Sequence, residues 1–270
     1  MTTVRSLLAA VAGFAWTGLL AILYLPTLAM PRRAIQVTAR FWIRGLMLIA
    51  RVFCGLGYQI RGRERLPTGA ALVAAKHQSA WDTLIFHVLL DDPVYVLKKE
   101  LFGVPFIGWY LRKSGNIGID RSAGMKALKL MTSEARDAFA DGSQVIVFPE
   151  GTRAAPGSRN PYHPGIAALY ATAETPVVPV ALNSGMFWGR RSFHKYAGTI
   201  ILEFLEPIEP GLDRRAFLGL LEDRIEGASR RLCAEAAEAH PRLPAAATLT
   251  DAPVDAADAP CGTRGKTAET

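Results

Sequence analysis

The chain has 270 residues, half of them hydrophobic, a net charge of +7 at neutral pH and an isoelectric point near 9.5. That length suits one catalytic domain with appendages, and the basic balance suits anionic lipid headgroups, phosphorylated substrates or an acidic carrier protein. No Lys/Arg tract interleaved with aromatics occurs, which argues against nucleic acid, and three scattered cysteines, Cys54, Cys233 and Cys261, fit a reducing compartment and neither a disulfide framework nor a zinc site.

Residues 6–30 carry no charge. A run of that length can span a bilayer with some tilt. A cleaved signal peptide would have a much shorter apolar core, and no clear small-x-small site follows. Arg32 and Arg33 come after the run and Arg5 alone before it, a bias that places the C-terminal side in the cytoplasm if the segment spans. Over 33–52 the pattern becomes an apolar helix with one basic stripe. At about 100° per residue Arg33, Arg40, Arg44 and Arg51 share a narrow arc, as in a helix lying in the headgroup plane with its arginines toward lipid phosphates. A solvated face of a helix packed on the domain is the plainer alternative.

From Gly55 onward the pattern is α/β. Strands are predicted at 71–75, 93–97, 115–120, 144–148, 176–182 and 199–205, and helices at 81–90, 123–140, 162–173 and 213–237, with a short broken helix over 101–113. Alternation of this kind predicts a mixed sheet flanked by helices. The expected organisation is membrane-associated helices over 1–54, a catalytic domain over 55–240, and a disordered tail over 241–270, where Ala, Pro, Thr and Asp dominate without periodicity.

Two motifs carry chemistry. Phe148-Pro149-Glu150-Gly151-Thr152-Arg153 follows the apolar run 144–148. Pro149 stops the ladder and Gly151 turns the backbone, which delivers a carboxylate and a guanidinium to the C-terminal edge of a sheet, where open α/β sheets bind ligands. Arginine's planar fork suits phosphate or carboxylate. His77 sits between a strand and a helix, and Asp82 lies five residues on. The two meet only if His77 lies in the turn and Asp82 in the first turn of the helix, with Ser79 as a suitable N-cap. An aspartate on one ring nitrogen would leave the other free as a general base. His87 and Asp92 have the same spacing, but nothing presents them at a helix start.

Four blocks in order, His77-x-x-x-x-Asp82, Gly115-Asn116-Ile117-Gly118-Ile119-Asp120-Arg121, Phe148 to Arg153, and Val177-Val178-Pro179-Val180, together resemble the glycerolipid acyltransferase family. Within it the bacterial 1-acylglycerol-3-phosphate branch is the most similar, and 98–109 resembles the stretch that precedes the second block. One departure is Lys76, where the family often has asparagine. The resemblance implies His77 as general base with Asp82 as its partner. It also implies an acceptor site built by Arg121, Glu150, Gly151 and Arg153, with Lys99 as a weaker candidate. The implied reaction moves a fatty acyl group from acyl-CoA or acyl carrier protein to the sn-2 hydroxyl of lysophosphatidic acid. The other acceptor weighed is glycerol-3-phosphate or another lysolipid. No cofactor is expected beyond the thioester co-substrate, and no metal, because no ligand set with recognisable spacing joins His77 and Asp82. A lipid-binding adaptor that keeps the fold is the non-catalytic reading. The expected partners are membrane lipids, and the expected place is the inner membrane, with the catalytic domain facing the cytoplasm. Without a Gly-x-Ser-x-Gly elbow or a cysteine near His77, direct transfer is expected, with backbone N–H groups near Gly151 as oxyanion donors.

Overall fold

The computed structural model describes residues 1–250, the side chains of Arg121 and Thr250 excepted. It opens with α1 (Thr2–Leu23) and α2 (Arg32–Ile49), joined by a 3₁₀ turn at Leu25–Ala29. At about 1.5 Å per residue α1 is roughly 33 Å long, and it is long and apolar enough to cross a membrane. Two tryptophans join the helices, each with its indole N–H satisfied. Trp16 donates to the carbonyl of Trp42 at 2.9 Å, and Trp42 donates to the Thr17 hydroxyl at 3.0 Å. Gly45 allows this closeness, because a methyl group there would collide with the Trp16 ring. Both ends of α1 are tied to the rest of the chain. Arg5 Nε donates to the Phe53 carbonyl at 2.8 Å, the Ser6 hydroxyl accepts from Lys195 N–H at 3.0 Å, and the Tyr110 hydroxyl donates to the Ala21 carbonyl at 3.1 Å.

After a wider, π-type turn over Ala50–Cys54, Gly55 ends the helix with φ 68°. Next come β1 (Leu56–Arg61), β2 (Ala71–Ala75), α3 (Asp82–Leu89), β3 (Pro93–Lys98), α4 (Ile107–Lys113), β4 (Ile117–Ile119) and α5 (Gly124–Ala140). They are followed by β5 (Gln144–Val147), α6 (Gly165–Thr172), β6 (Val177–Leu182), α7 (Ser184–Phe187), β7 (Gly198–Phe204), α8 (Arg214–Ala239) and α9 (Pro244–Thr250). The seven strands form one mixed sheet in the order β1-β7-β6-β2-β5-β3-β4. Only β6 and β7 pair antiparallel, so β1 and β7 run against the other five.

The apolar runs of β2, β5 and β6 are wholly buried, as parallel strands covered on both faces must be. Alternate residues serve the two sides. Val73 and Ala75 join Ile43, Phe86, Met186 and Phe187, while Leu72 and Ala74 join Met131, Ala135, Ile166, Leu169, Phe217 and Leu221. Thus α2, α3 and α7 cover one face, and α5, α6 and α8 the other. Pro179 sits in a central strand without breaking it. Its carbonyl accepts from Leu205 N–H on the β7 side, where the regular ladder begins only at Val180, so its missing N–H costs no bond to β2.

Three expectations change. Arg40 does not face lipid: its guanidinium donates to the carbonyls of His87, Leu90 and Asp91, where a cation offsets the C-terminal dipole of α3. Arg33, Arg44 and Arg51 remain exposed, beside an outward apolar row of Val37, Phe41, Leu48 and Val52. The tail expected from 241 instead packs on the core through Leu243, in the turn before α9, and Ala246 on α9; the rest of that tail, 251–270, lies outside the described residues. β1, not among the predicted strands although Leu56, Tyr58 and Ile60 alternate with Gly57, Gln59 and Arg61, is fixed by parallel pairing with β7.

Candidate active site

β2 and β5 are parallel neighbours, with Ala74 opposite Val147. The turns leaving their C-terminal ends therefore lie side by side, one carrying His77 and the other 148–153. Ala154 N–H donates to the His77 carbonyl at 2.8 Å and joins the two turns. Asp82 opens α3, and its carboxylate folds back over the preceding turn. One oxygen, Oδ2, accepts from Gln78 N–H at 2.6 Å and Ser79 N–H at 2.7 Å, and lies 3.1 Å from His77 Nδ1. Ser79 is not the N-cap; its hydroxyl accepts from Trp81 N–H at 3.0 Å, and Asp82 itself closes the turn.

The Asp82 bond assigns the proton of neutral His77 to Nδ1, so Nε2 is the basic nitrogen. The imidazole stacks on Phe148 with centroids 4.2 Å apart, which fixes its plane. Asp82 is fully buried, and its Oδ1 and the Tyr95 hydroxyl are both buried without a protein hydrogen bond. Burial, followed by the Asp82 charge, pushes the Tyr95 phenol well above its ordinary range, so it stays neutral.

A cavity of about 660 Å³ opens beside His77. Part of its lining is apolar, with Leu20, Ile35, Ala39, Leu84, Ile107 and Leu111 from α1 to α4. Part is cationic: Gly151, Thr152 and Arg153 share the wall with Lys98, Arg190 and Arg191. Arg190 Nη1 donates to the Arg153 carbonyl at 3.0 Å. An aliphatic chain and an anionic group could thus be held in the cavity that His77 lines.

Of the residues singled out in the sequence, His77, Gly151 and Arg153 line this cavity and Asp82 supports it. Glu150 does not reach it. It is 2% exposed and turned into the core, where Oε1 lies 3.0 Å from Lys76 Nζ, within ion-pair distance but off the hydrogen-bond direction, and Oε2 accepts from Asn160 Nδ2 at 2.9 Å. Lys76 also donates to both oxygens of Glu226 on α8, at 2.8 and 2.9 Å, and to the Ser158 carbonyl at 3.0 Å. The Tyr162 hydroxyl completes the cluster by donating to Glu226 at 3.0 Å. Glu150 is therefore part of a buried ionic tie behind the turn, and Lys76 faces that tie and not the cavity.

Lys99 also misses the wall, which takes Lys98, the last residue of β3, in its place. The side chain of Arg121 lies outside the described residues; its backbone follows β4, whose Ile119 pairs with Lys98. Of the backbone N–H groups near Gly151 expected as oxyanion donors, that of Gly151 itself donates to the Phe148 carbonyl at 2.9 Å. His87 and Asp92 do not pair: Asp92 binds Gln36, Arg32 and Ser143, and His87 leans on the Tyr95 ring. Lys98, Arg190, Arg191 and Tyr95 were missed. The one available signal was the adjacent Arg190–Arg191 pair between two predicted strands. Among the described residues no three His, Cys, Asp or Glu side chains gather as a metal cluster.

Residues 57–183 match the family model described as Acyltransferase. The chain is 35% identical over 199 residues to a 1-acyl-sn-glycerol-3-phosphate acyltransferase of Pseudomonas aeruginosa, a match covering 74% of this chain and 77% of that one. It is 33% identical over 171 residues to the mouse 1-acyl-sn-glycerol-3-phosphate acyltransferase alpha, covering 63% of this chain and 59% of the mouse protein. In fold it is similar to the crystal structure of the 1-acyl-sn-glycerophosphate acyltransferase of Thermotoga maritima, with a TM-score of 0.70, 20% identity, and coverage of 86% of this chain and 98% of that one.

Proposed function

The chain belongs to the acyltransferase family, and on that premise we propose that it moves a fatty acyl group from a thioester to the sn-2 hydroxyl of lysophosphatidic acid, giving phosphatidic acid. The observation that carries this reading is the His77–Asp82 pair, with His77 in the wall of one cavity that also has apolar and cationic lining. His77 Nε2 takes the acceptor's hydroxyl proton as the oxygen attacks the thioester carbonyl. The tetrahedral intermediate then expels the thiolate, and the imidazolium returns the proton to sulfur. Asp82 holds the tautomer before the transfer and stabilises the imidazolium during it. Arg153 grips the acceptor phosphate by charge-assisted bonds, with Arg121, after β4, as its expected partner from two strands away. The donor is acyl-CoA or acyl carrier protein. The chain works on membrane lipids, at the cytoplasmic face of the inner membrane.

The test offers the lipid-reconstituted protein a panel of phosphorylated acceptors with both donors and identifies products by mass. Phosphatidic acid is the expected product, and preferential acylation of glycerol-3-phosphate would replace the proposed acceptor. His77→Ala should abolish transfer while lysolipid binding survives; wild-type turnover in that variant would remove His77 from its role. Arg153→Ala should raise the acceptor KM with little change in kcat, as lost ground-state binding does.

A further inference from the structure

The turn before α4 and its first residues present bulky apolar groups to solvent, which monomeric soluble proteins seldom do in one contiguous patch. Leu101 is 43% exposed, Val104 38%, Phe106 48%, Ile107 56% and Trp109 49%. Phe102 alone folds inward, against Gly118 and beneath the Arg112 guanidinium at 5.2 Å. Phe106 has φ 61°, a left-handed conformation rare for a bulky residue, and its ring still stands outward beside Trp109. Exposed cations flank the patch: Lys98 and Lys99 before it and Arg112 and Lys113 after it, against the single acid Glu100. Apolar groups at the centre with cations at the margin are what an anionic lipid surface binds.

Two further observations place this patch. It is joined to α1 through the Tyr110–Ala21 bond, next to the exposed Leu19, Ile22, Leu23 and Leu25. It is also the wall of the cavity, since Leu101, Phe106 and Ile107 line the interior. Phe106 and Ile107 therefore face solvent and cavity at once.

We infer that residues 101–109 form a second lipid contact beside α1, and that this wall is where the acceptor's acyl chain passes from the bilayer into the cavity. The inference rests on the proposed lipid acceptor and on α1 being seated in lipid. An acidic carrier protein would match the charges, but not five large apolar side chains within nine residues.

The test uses the full chain with Cys261→Ser, in which the remaining Cys54 and Cys233 are buried. Single cysteines introduced by Val104→Cys or Phe14→Cys carry a bimane label, and vesicles contain phosphatidylglycerol with brominated acyl chains. Quenching at both positions is the expected result. Quenching at Phe14→Cys alone would overturn the inference and leave α1 as the anchor; quenching at neither would overturn both. This readout needs no turnover, so it is independent of the acceptor's identity. Kinetics supply the second arm with Val104→Ser/Trp109→Ser, neither residue lining the cavity. The KM for a long-chain acceptor in vesicles should rise about tenfold, while turnover of a short-chain acceptor below its micelle concentration stays unchanged. An equal loss on both acceptors would overturn the role in acceptor passage.

Discussion

Lys76 directly precedes the presumed base, yet its ammonium is 1% exposed and points to the opposite side of the sheet edge. There it holds Glu150, Glu226 and the Ser158 carbonyl, so it binds the turn of 148–153 to α8. Removing one partner of a buried ionic group typically costs about 3–5 kcal/mol, because the remaining charges are left uncompensated. Lys76→Met should therefore lower Tm markedly in a thermal scan, and an unchanged Tm would refute the tie. Glu150 gives this cluster a pH signature. Burial raises its carboxyl pKa, and the nearby lysine offsets this only in part. The folded state thus keeps a proton that the unfolded state has released. Stability should fall as pH rises from the ordinary carboxylate range through the raised value, and Glu150→Gln should flatten that slope. The same cluster explains the departure at Lys76: the substitution changes the packing behind the turn and leaves the cavity wall alone.

At the scale of elements, α3 joins the site to α2. Its first residue steadies His77, and its last carbonyls are held by Arg40 of α2. His87, on the same helix, faces the cavity, and burial together with the Arg40 charge lowers its pKa to about 4. Its unfolded value is near 6.5, so the unfolded state gains a proton first as pH falls. Stability should drop between about pH 6.5 and 4 and level off below; melting curves of His87→Phe should lack that component. The meeting of His77 and Asp82 was legible in the sequence because a strand, a five-residue offset and a helix start leave one geometry in which the pair can bond. The central strands were legible for a similar reason, since continuous apolar runs need cover on both faces. What was not legible depends on partners distant in sequence. Glu150 is turned inward by Lys76, 74 residues before it, and Arg40 is held by the end of another helix. Lys98 displaces Lys99 because β3 runs one residue longer than its apolar pattern.

Across the whole molecule the charge is distributed with a purpose. Exposed Arg33, Arg44, Arg51, Lys98, Lys99, Arg112 and Lys113 accompany the outward apolar rows of α1, α2 and the 101–109 turn. Surface charges are screened over about 10 Å at 0.1 M salt. Binding to anionic vesicles should therefore weaken on going from about 0.05 to about 0.5 M salt, whereas binding to neutral vesicles, driven by apolar burial, should not; equal salt responses in a sedimentation assay would contradict this division. The sheet's direction reversal has a consequence for biosynthesis. Leu56 of β1 aligns with Gly198 of β7, and the loop just before β7 supplies the Lys195 N–H that meets Ser6. A segment made early in this stretch thus waits for one made much later before its docking surface exists. Until residue 198 has been translated, β1 has no ladder and hydrophobic α1 lacks one of its moorings, so over that interval the nascent polypeptide needs shelter from lipid or a chaperone.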